Sequence, residues 1–256
     1  MQHPADARVA DLVRTRKLRV GLGLGSPALA VKEPASGQLQ GPAWDLARAL
    51  ALRIGVEAVP IEYPRPGAVM EGLRRNAWDV TFLVISPERA SEGDFSPPYM
   101  QSDFTYLVPA GSSIRSVVDA DRPGVRIAVP RGDASDLRLT SILHRAELVR
   151  TDSLPGAIDL LRAKQADAYA AGRTVLLALV SQLPGSRVLT DGFGRISYAA
   201  LIPKGHPERL AYVSEFIEEA KTSGLVKSAI DRAGLHGVVV SPPNGKQIER
   251  DSKISD

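Results

Sequence analysis

Residues 78–90 read Trp78-Asp79-Val80-Thr81-Phe82-Leu83-Val84-Ile85-Ser86-Pro87-Glu88-Arg89-Ala90, and Asp94-Phe95-Ser96-Pro97-Pro98-Tyr99 follows a short acidic spacer. The run Trp78 to Ile85 is apolar and β-rich, which predicts a largely buried strand. Ser86 is a good helix cap, and Pro87 is the favoured first helical residue. The backbone N–H groups and dipole at such a start favour an anion. Arg89 falls in the same first turn, and its planar guanidinium can hold a carboxylate through two parallel hydrogen bonds. Spacing alone leaves two readings of Arg89 open: an anion-binding group, or a surface arginine paired with Glu88 or Asp94.

Working outward, strands and helices alternate. Leu18–Leu22, Val56–Tyr63 and Asp103–Val108 read as strands, and Pro42–Ile54, closed by Gly55, and Pro66–Asn76 as helices. After the linker Pro109-Ala110-Gly111-Ser112-Ser113 a second alternating unit begins. Its strands are Val125–Val129, Leu148-Val149, Ala166–Ala171 and Ser197–Pro203. Its helices are Ser135–Arg145, Leu154–Lys164 and Thr174–Leu183. Helices over 207–224 and 225–233 follow, and the tail from Ser241 is expected to be loosely packed. Two βαβ-rich units of about 100 residues each imply mainly parallel sheets covered on both faces.

The 256 residues suffice for a sizeable core without staples, and cysteine is absent, which removes disulfides and thiol nucleophiles. The 32 Lys and Arg face 29 Asp and Glu, and the charges are interspersed, so a nucleic-acid partner is not expected. No apolar run approaches the length of a membrane span. His3, His144, His206 and His236 have no metal spacing, and no cofactor or metal is expected. Gly21-Leu22-Gly23-Leu24-Gly25 suggests a dinucleotide loop, but Pro27 and the segment Ala30–Pro34 do not supply the crossover helix that this reading needs. The polar first residues contain no signal peptide.

The order Ser86-Pro87-Glu88-Arg89, acidic spacer, Asp94-Phe95-Ser96-Pro97-Pro98-Tyr99 resembles the type II periplasmic solute-binding proteins of the polar amino acid ABC transporter family (family 3 extracellular solute-binding proteins). Gly41–Leu46, Met70–Val80, Val125–Gly132, Ala157–Ala168 (with Lys164 where the family has Gly) and Ala200–Gly205 match in order, so the resemblance spans about Leu18 to Gly237. It implies a two-lobed α/β fold, each lobe a mainly parallel sheet flanked by helices, with a two-strand hinge. Lobe 1 is then 1–106 plus 202–256 and lobe 2 is 107–201, with crossings near Tyr106–Val108 and Ala199–Leu201. The resemblance implies a non-enzymatic monomer that captures a small carboxylate-bearing ligand, amino-acid-like or an organic acid, and docks to an ABC permease. A periplasmic address follows if a leader was removed before this chain begins; otherwise the expected address is cytoplasmic.

By resemblance, Arg89 holds the ligand's carboxylate beside Ser86 and Val84, and the turn Gly132-Asp133-Ala134 supplies backbone N–H groups and a side chain. Asp133 stands where the family often has Thr or Ser. Its carboxylate meets a ligand cation or caps the helix. Gly172 occupies the position at which amino-acid binders usually carry an Asp for the α-ammonium, and Arg173 beside it meets a second carboxylate or lies on the surface. This pattern argues against a standard α-amino acid, since an ammonium buried without an anion costs several kcal/mol. Tyr63, Phe82 and Tyr99 line the pocket or belong to the core. The competing readings are an enzyme resembling cyclohexadienyl dehydratase, with Asp133 as the candidate general acid, and a sensing module without transport.

Overall fold

The computed structural model describes residues 6–64, 68–131, 133–151 and 154–243. Two compact units emerge. Unit 1 contains the chain up to Gln101, Ser197–Leu235 and the chain from Val239 onward; unit 2 contains Ser102–Ile196 and His236–Val238. The chain changes unit earlier in both spanning strands than the crossings expected at 106–108 and 199–201, and a three-residue segment near the carboxyl end rejoins unit 2.

In chain order, unit 1 opens with α1 (Ala10–Thr15), β1 (Lys17–Gly23), the small ribbon β2 (Val31–Lys32) and β3 (Leu39–Gln40), α2 (Pro42–Ile54), β4 (Glu57–Tyr63), α3 (Val69–Arg74), β5 (Val80–Val84) and α4 (Pro87–Glu92). The long strand β6 (Gly93–Val108) then enters unit 2. Unit 2 continues with β7 (Arg126–Pro130), α5 (Ala134–Ile142), β8 (Glu147–Thr151), α6 (Leu154–Arg162), β9 (Ala168–Gly172), α7 (Arg173–Leu179) and β10 (Arg187–Val188). β11 (Gly194–Pro203) returns to unit 1, followed by α8 (Pro207–Thr222), α9 (Leu225–Arg232) and β12 (Val239–Val240).

Unit 1 orders its strands β4-β1-β5-β11-β6, with β12 on the outer side of β6. β1 pairs parallel with β4, Val20 opposite Pro60, and with β5, Val20 opposite Val80. β11 runs antiparallel to β5, Ala200 opposite Phe82. α2 starts with Pro42 and ends at Gly55, whose φ of 82° is natural for glycine and whose N–H donates to the Ala51 and Leu52 carbonyls. Its apolar stripe buries Leu46, Ala47 and Leu50 completely. Each fully buried leucine contributes about 1.5–3 kcal/mol relative to exposure. Trp78, also inaccessible, donates its indole N–H to the Val69 carbonyl at 2.9 Å and packs against Gly21, where a Cβ would fall 2.8 Å from Trp78 Cδ1.

Unit 2 orders β6-β9-β7-β8, with β7 parallel to both neighbours and β6 antiparallel to β9. The period-2 alternation of its strands feeds two cores. Tyr106, Val108, Ile127, Val129 and Ala170 pack with Leu139 of α5 on one face. Leu107, Ala128, Tyr169 and Ala171 pack with Ile158 of α6 and Leu176 of α7 on the other. The expected α/β class and the mainly parallel sheets are therefore present, with the antiparallel pairings found in the strands that pass between units, their neighbours, and the separate β2-β3 ribbon.

The expected loose tail is corrected at its start. Val239 pairs with Gln101, and the buried Ser241 donates its N–H to the Tyr99 carbonyl at 3.0 Å. The rest of that stretch, from 244, lies outside the described residues, as does the expected helix start at 66–67. Among the described residues no helix is long and apolar enough to cross a membrane.

Candidate functional site

β5 delivers the chain to the site. Thr81, near the start of β5, donates its hydroxyl to the Gly21 carbonyl of β1 at 2.6 Å, and just past the strand end the Ile85 N–H donates to the Ser197 carbonyl at 2.9 Å. Ser86 then caps α4, its side-chain oxygen accepting from the Arg89 N–H at 3.4 Å, while the Ala90 N–H donates to the Ser86 carbonyl at 3.0 Å. The helix is only six residues long, so its dipole is small and the anion-attracting power rests on the side chain.

That side chain is half-buried Arg89. One nitrogen, Nη1, donates to the Val84 carbonyl at 2.7 Å, which folds the guanidinium back over the end of β5. Arg89 forms no ion pair among the described residues; Glu88 and Asp94, its expected surface partners, do not take it. Burial pushes its pKa below the ordinary arginine value, and the nearby charge of Glu88 acts in the opposite direction. A guanidinium has five N–H donors, and the hydrogen bond to Val84 engages one of its nitrogens. Val84, Ser86 and Arg89 are thus brought together within one turn.

The aromatic positions left open between pocket and core take packing places. Phe82 is 2% exposed and meets Tyr99 edge-on at 5.9 Å between ring centroids, so both belong to the core of unit 1 and neither lines a surface pocket. Tyr63 is half-buried and lies over α3. Its hydroxyl occupies the space that a Cβ on Gly72 would take, 1.9 Å away, which makes it a packing partner of that helix.

In unit 2, Gly132 lies outside the described residues. Asp133 is the cap residue of α5, exposed, and makes no side-chain bond to the helix backbone. Its carboxylate instead accepts from the buried Ser135 hydroxyl at 3.0 Å. Ala134 is the first, exposed residue of α5, and Gly172 is the cap residue of α7. The fully buried Tyr169 of β9 keeps a hydroxyl without a hydrogen-bond partner among the described residues. Burial, reinforced by the Asp133 charge, raises that hydroxyl's pKa well above the usual tyrosine value.

Arg173 is corrected most clearly. Its Nε and Nη2 both donate to Asp103 at 2.6 Å, Nη1 donates to the Leu189 carbonyl at 2.5 Å, and Nη2 also reaches the Thr190 and Asp191 carbonyls at 3.1 Å. Its charge is neutralised and its donors are committed within unit 2, so it is neither a solvated surface arginine nor a receptor for a second ligand carboxylate. Asp103, the partner that sequence reasoning missed, lies 70 positions away, and no local pattern marks it.

Comparison with known proteins agrees with this architecture. The family model of bacterial extracellular solute-binding proteins, family 3, matches residues 18–234. A glutamine-binding protein of Geobacillus stearothermophilus is 26% identical over 186 residues, 71% of each chain. The L-cystine-binding protein TcyJ of Escherichia coli K12 is 26% identical over 232 residues, 89% of this chain and 86% of the relative. Among solved structures, the ancestral amino acid-binding protein AncCDT-1, a precursor of cyclohexadienyl dehydratase, aligns with a TM-score of 0.71 at 25% identity, covering 89% of this chain and 99% of that one. With the family match running through nearly the whole described chain, from β1 to the end of α9, this protein belongs to the bacterial extracellular solute-binding proteins of family 3.

Proposed function

We propose that this chain is the solute receptor of an ABC-type importer, held outside the cytoplasmic membrane, and that it captures a small carboxylate-bearing molecule with Arg89 as the carboxylate's partner. One observation carries the reading: a half-buried guanidinium whose described protein partner is a backbone carbonyl at 2.7 Å. Ser86 and Val84 hold the turn that presents it. In unit 2, Asp133, Ala134 and Gly172 lie at the helix starts beyond β7 and β9, where ligands of open α/β sheets sit. The relatives that bind glutamine and cystine support an amino-acid-like solute. Gly172 and the committed Arg173 leave Asp133 as the unit 2 carboxylate for a ligand cation, and an organic acid without an ammonium needs no such partner. The reading implies reversible capture and delivery to a permease, without covalent chemistry.

The test is a thermal-shift screen of amino acids and small organic acids. A ligand at one hundred times its Kd adds about 2.7 kcal/mol to the unfolding free energy. At least one carboxylate compound should raise Tm, and Arg89→Ala should erase the rise. Stabilisation that survives in the Arg89→Ala protein would refute the assignment. Product formation from prephenate-like compounds would instead favour a dehydratase.

A further inference from the structure

We infer that unit 2 carries a second binding site, at the amino-terminal end of its sheet, for a small organic anion with an apolar body. β7 and β9 run parallel, with Ile127 opposite Ala168, so the turns that lead into them lie side by side. Together with the linker that leaves β6 and the segment after α7, these turns border an open surface depression of about 820 Å³, within the roughly 300–1,000 Å³ range of small-molecule sites. The carboxyl-terminal strand ends, where Asp133 and Gly172 stand, are at the opposite end of the same strands.

The lining has the composition of an amphipathic anion site. Exposed Ala110, Pro123 and Pro184 and half-buried Leu183 contribute apolar surface, backed by the buried Ile114, Leu161 and Ala166. Arg122, Arg126, Arg162 and Lys164 contribute cations, against Asp167 as the one carboxylate in the lining. Asp167 is already engaged, accepting from Arg126 N, Nε and Nη2 at 2.9–3.1 Å. Arg162 is partly engaged, by Asp159 at 2.9 Å and the Gln182 carbonyl at 2.9 Å. Arg122 has a single carbonyl partner, Asp119 at 2.7 Å, and neither Arg122 nor Lys164 forms an ion pair among the described residues.

The walls are held in place before any ligand arrives. Arg187 Nη2 donates to the Ser112 and Ile114 carbonyls at 3.1 and 2.5 Å, which fixes the linker. Lys164 sits at φ 56°, a left-handed conformation that disfavours lysine, and its carbonyl is gripped by Arg126 Nη2 at 2.9 Å. A lysine kept at a position suited to glycine places an ammonium on the rim of the depression at a conformational cost. A fixed depression with apolar lining, surplus positive charge and no free carboxylate selects an anion that also has a hydrophobic portion, such as an aryl or alkyl carboxylate, sulfonate or phosphate.

The probe is anilinonaphthalenesulfonate, followed by amide NMR of the isotope-labelled full chain. Shifts should centre on Gly111, Gly124, Lys164 and Ala166, and binding should weaken several-fold between about 50 and 500 mM salt. The neutral analogue phenylnaphthylamine should bind roughly tenfold or more weakly, as should the sulfonate to the Arg122→Glu/Lys164→Glu protein. The milder Arg122→Gln/Lys164→Gly pair, which relieves the backbone strain, should weaken binding without loss of fold. Arg89→Ala should leave this site unchanged, and the double variants should retain any carboxylate-induced Tm rise. Shifts that map elsewhere, equal binding of the neutral analogue, or unchanged affinity in both double variants would each overturn the proposal.

Discussion

Unit 1 and unit 2 begin their sheets with the same clasp and end them differently. In unit 1, Arg19 at the start of β1 donates N, Nε and Nη2 to Asp79, just before β5, and Nη1 to the carbonyl of Asn76, whose φ is 51°. In unit 2, Arg126 at the start of β7 makes the corresponding bonds to Asp167, just before β9, and to the carbonyl of Lys164 at φ 56°. At the carboxyl ends the symmetry fails. Arg89 has no carboxylate partner among the described residues, whereas Arg173 is neutralised by Asp103. The pattern that builds a unit is thus separable from the pairing of the arginine at its strand ends, and the proposed carboxylate role rests on the arginine of unit 1.

The arginine pair offers the sharpest way to break this contrast. Arg173→Ala should lower stability by about 2–4 kcal/mol, because it leaves the Asp103 carboxylate without its ion pair and takes one donor from each of three carbonyls, of which those of Leu189 and Asp191 keep the Thr105 hydroxyl. Arg89→Ala should leave unliganded stability within about 0.5 kcal/mol while removing carboxylate binding. Urea unfolding of both variants decides the matter, and the contrast fails if Arg89→Ala is the more damaging.

The clasps should rank by burial. The Asp79 side chain is 10% exposed and Asp167 40%. Asp79→Asn should therefore cost about 2 kcal/mol and Asp167→Asn about 1 or less, since exposed pairs are worth little. Equal losses in chemical denaturation would show that burial does not set their strength.

A smaller difference concerns the turns. Lys164→Gly should stabilise by about 1 kcal/mol and Asn76→Gly by less, because asparagine tolerates left-handed backbone better than lysine. Paired Tm measurements test the order.

The smallest effect is in acid. Burial works against ionised Asp121, but N–H groups of Ala146, Arg145 and His144 outweigh it and hold its pKa below the ordinary value of 3.8. Its contribution is present above that value and lost as pH falls through the lower folded pKa. Asp121→Asn should flatten the stability profile below about pH 4. An unaltered acid limb would discount this carboxylate.

Local signals were readable in the chain and distant ones were not. α2 is bounded by its own Pro42 and Gly55, and Ser86, Pro87 and Arg89 define their turn within four residues, so both were legible. β6 is longer than Asp103–Val108 because Pro97 and Pro98 argue against a strand that the pairing around them nevertheless supports. β12 is two residues held by a partner strand far away in sequence. Asp103, which decides the fate of Arg173, and Tyr99, which turns Phe82 inward, depend on which strands become neighbours, and hydrophobic periodicity does not encode that. The repeated clasp was present as Arg19 with Asp79 and Arg126 with Asp167, but unequal spacing hid it.

Both tryptophans, Trp44 on α2 and the enclosed Trp78, belong to unit 1. Intrinsic indole emission therefore reports on the Arg89-bearing half alone, while circular dichroism averages over the whole chain. If the two optical signals follow different melting curves, the molecule itself reveals which half gives way first, with no label attached.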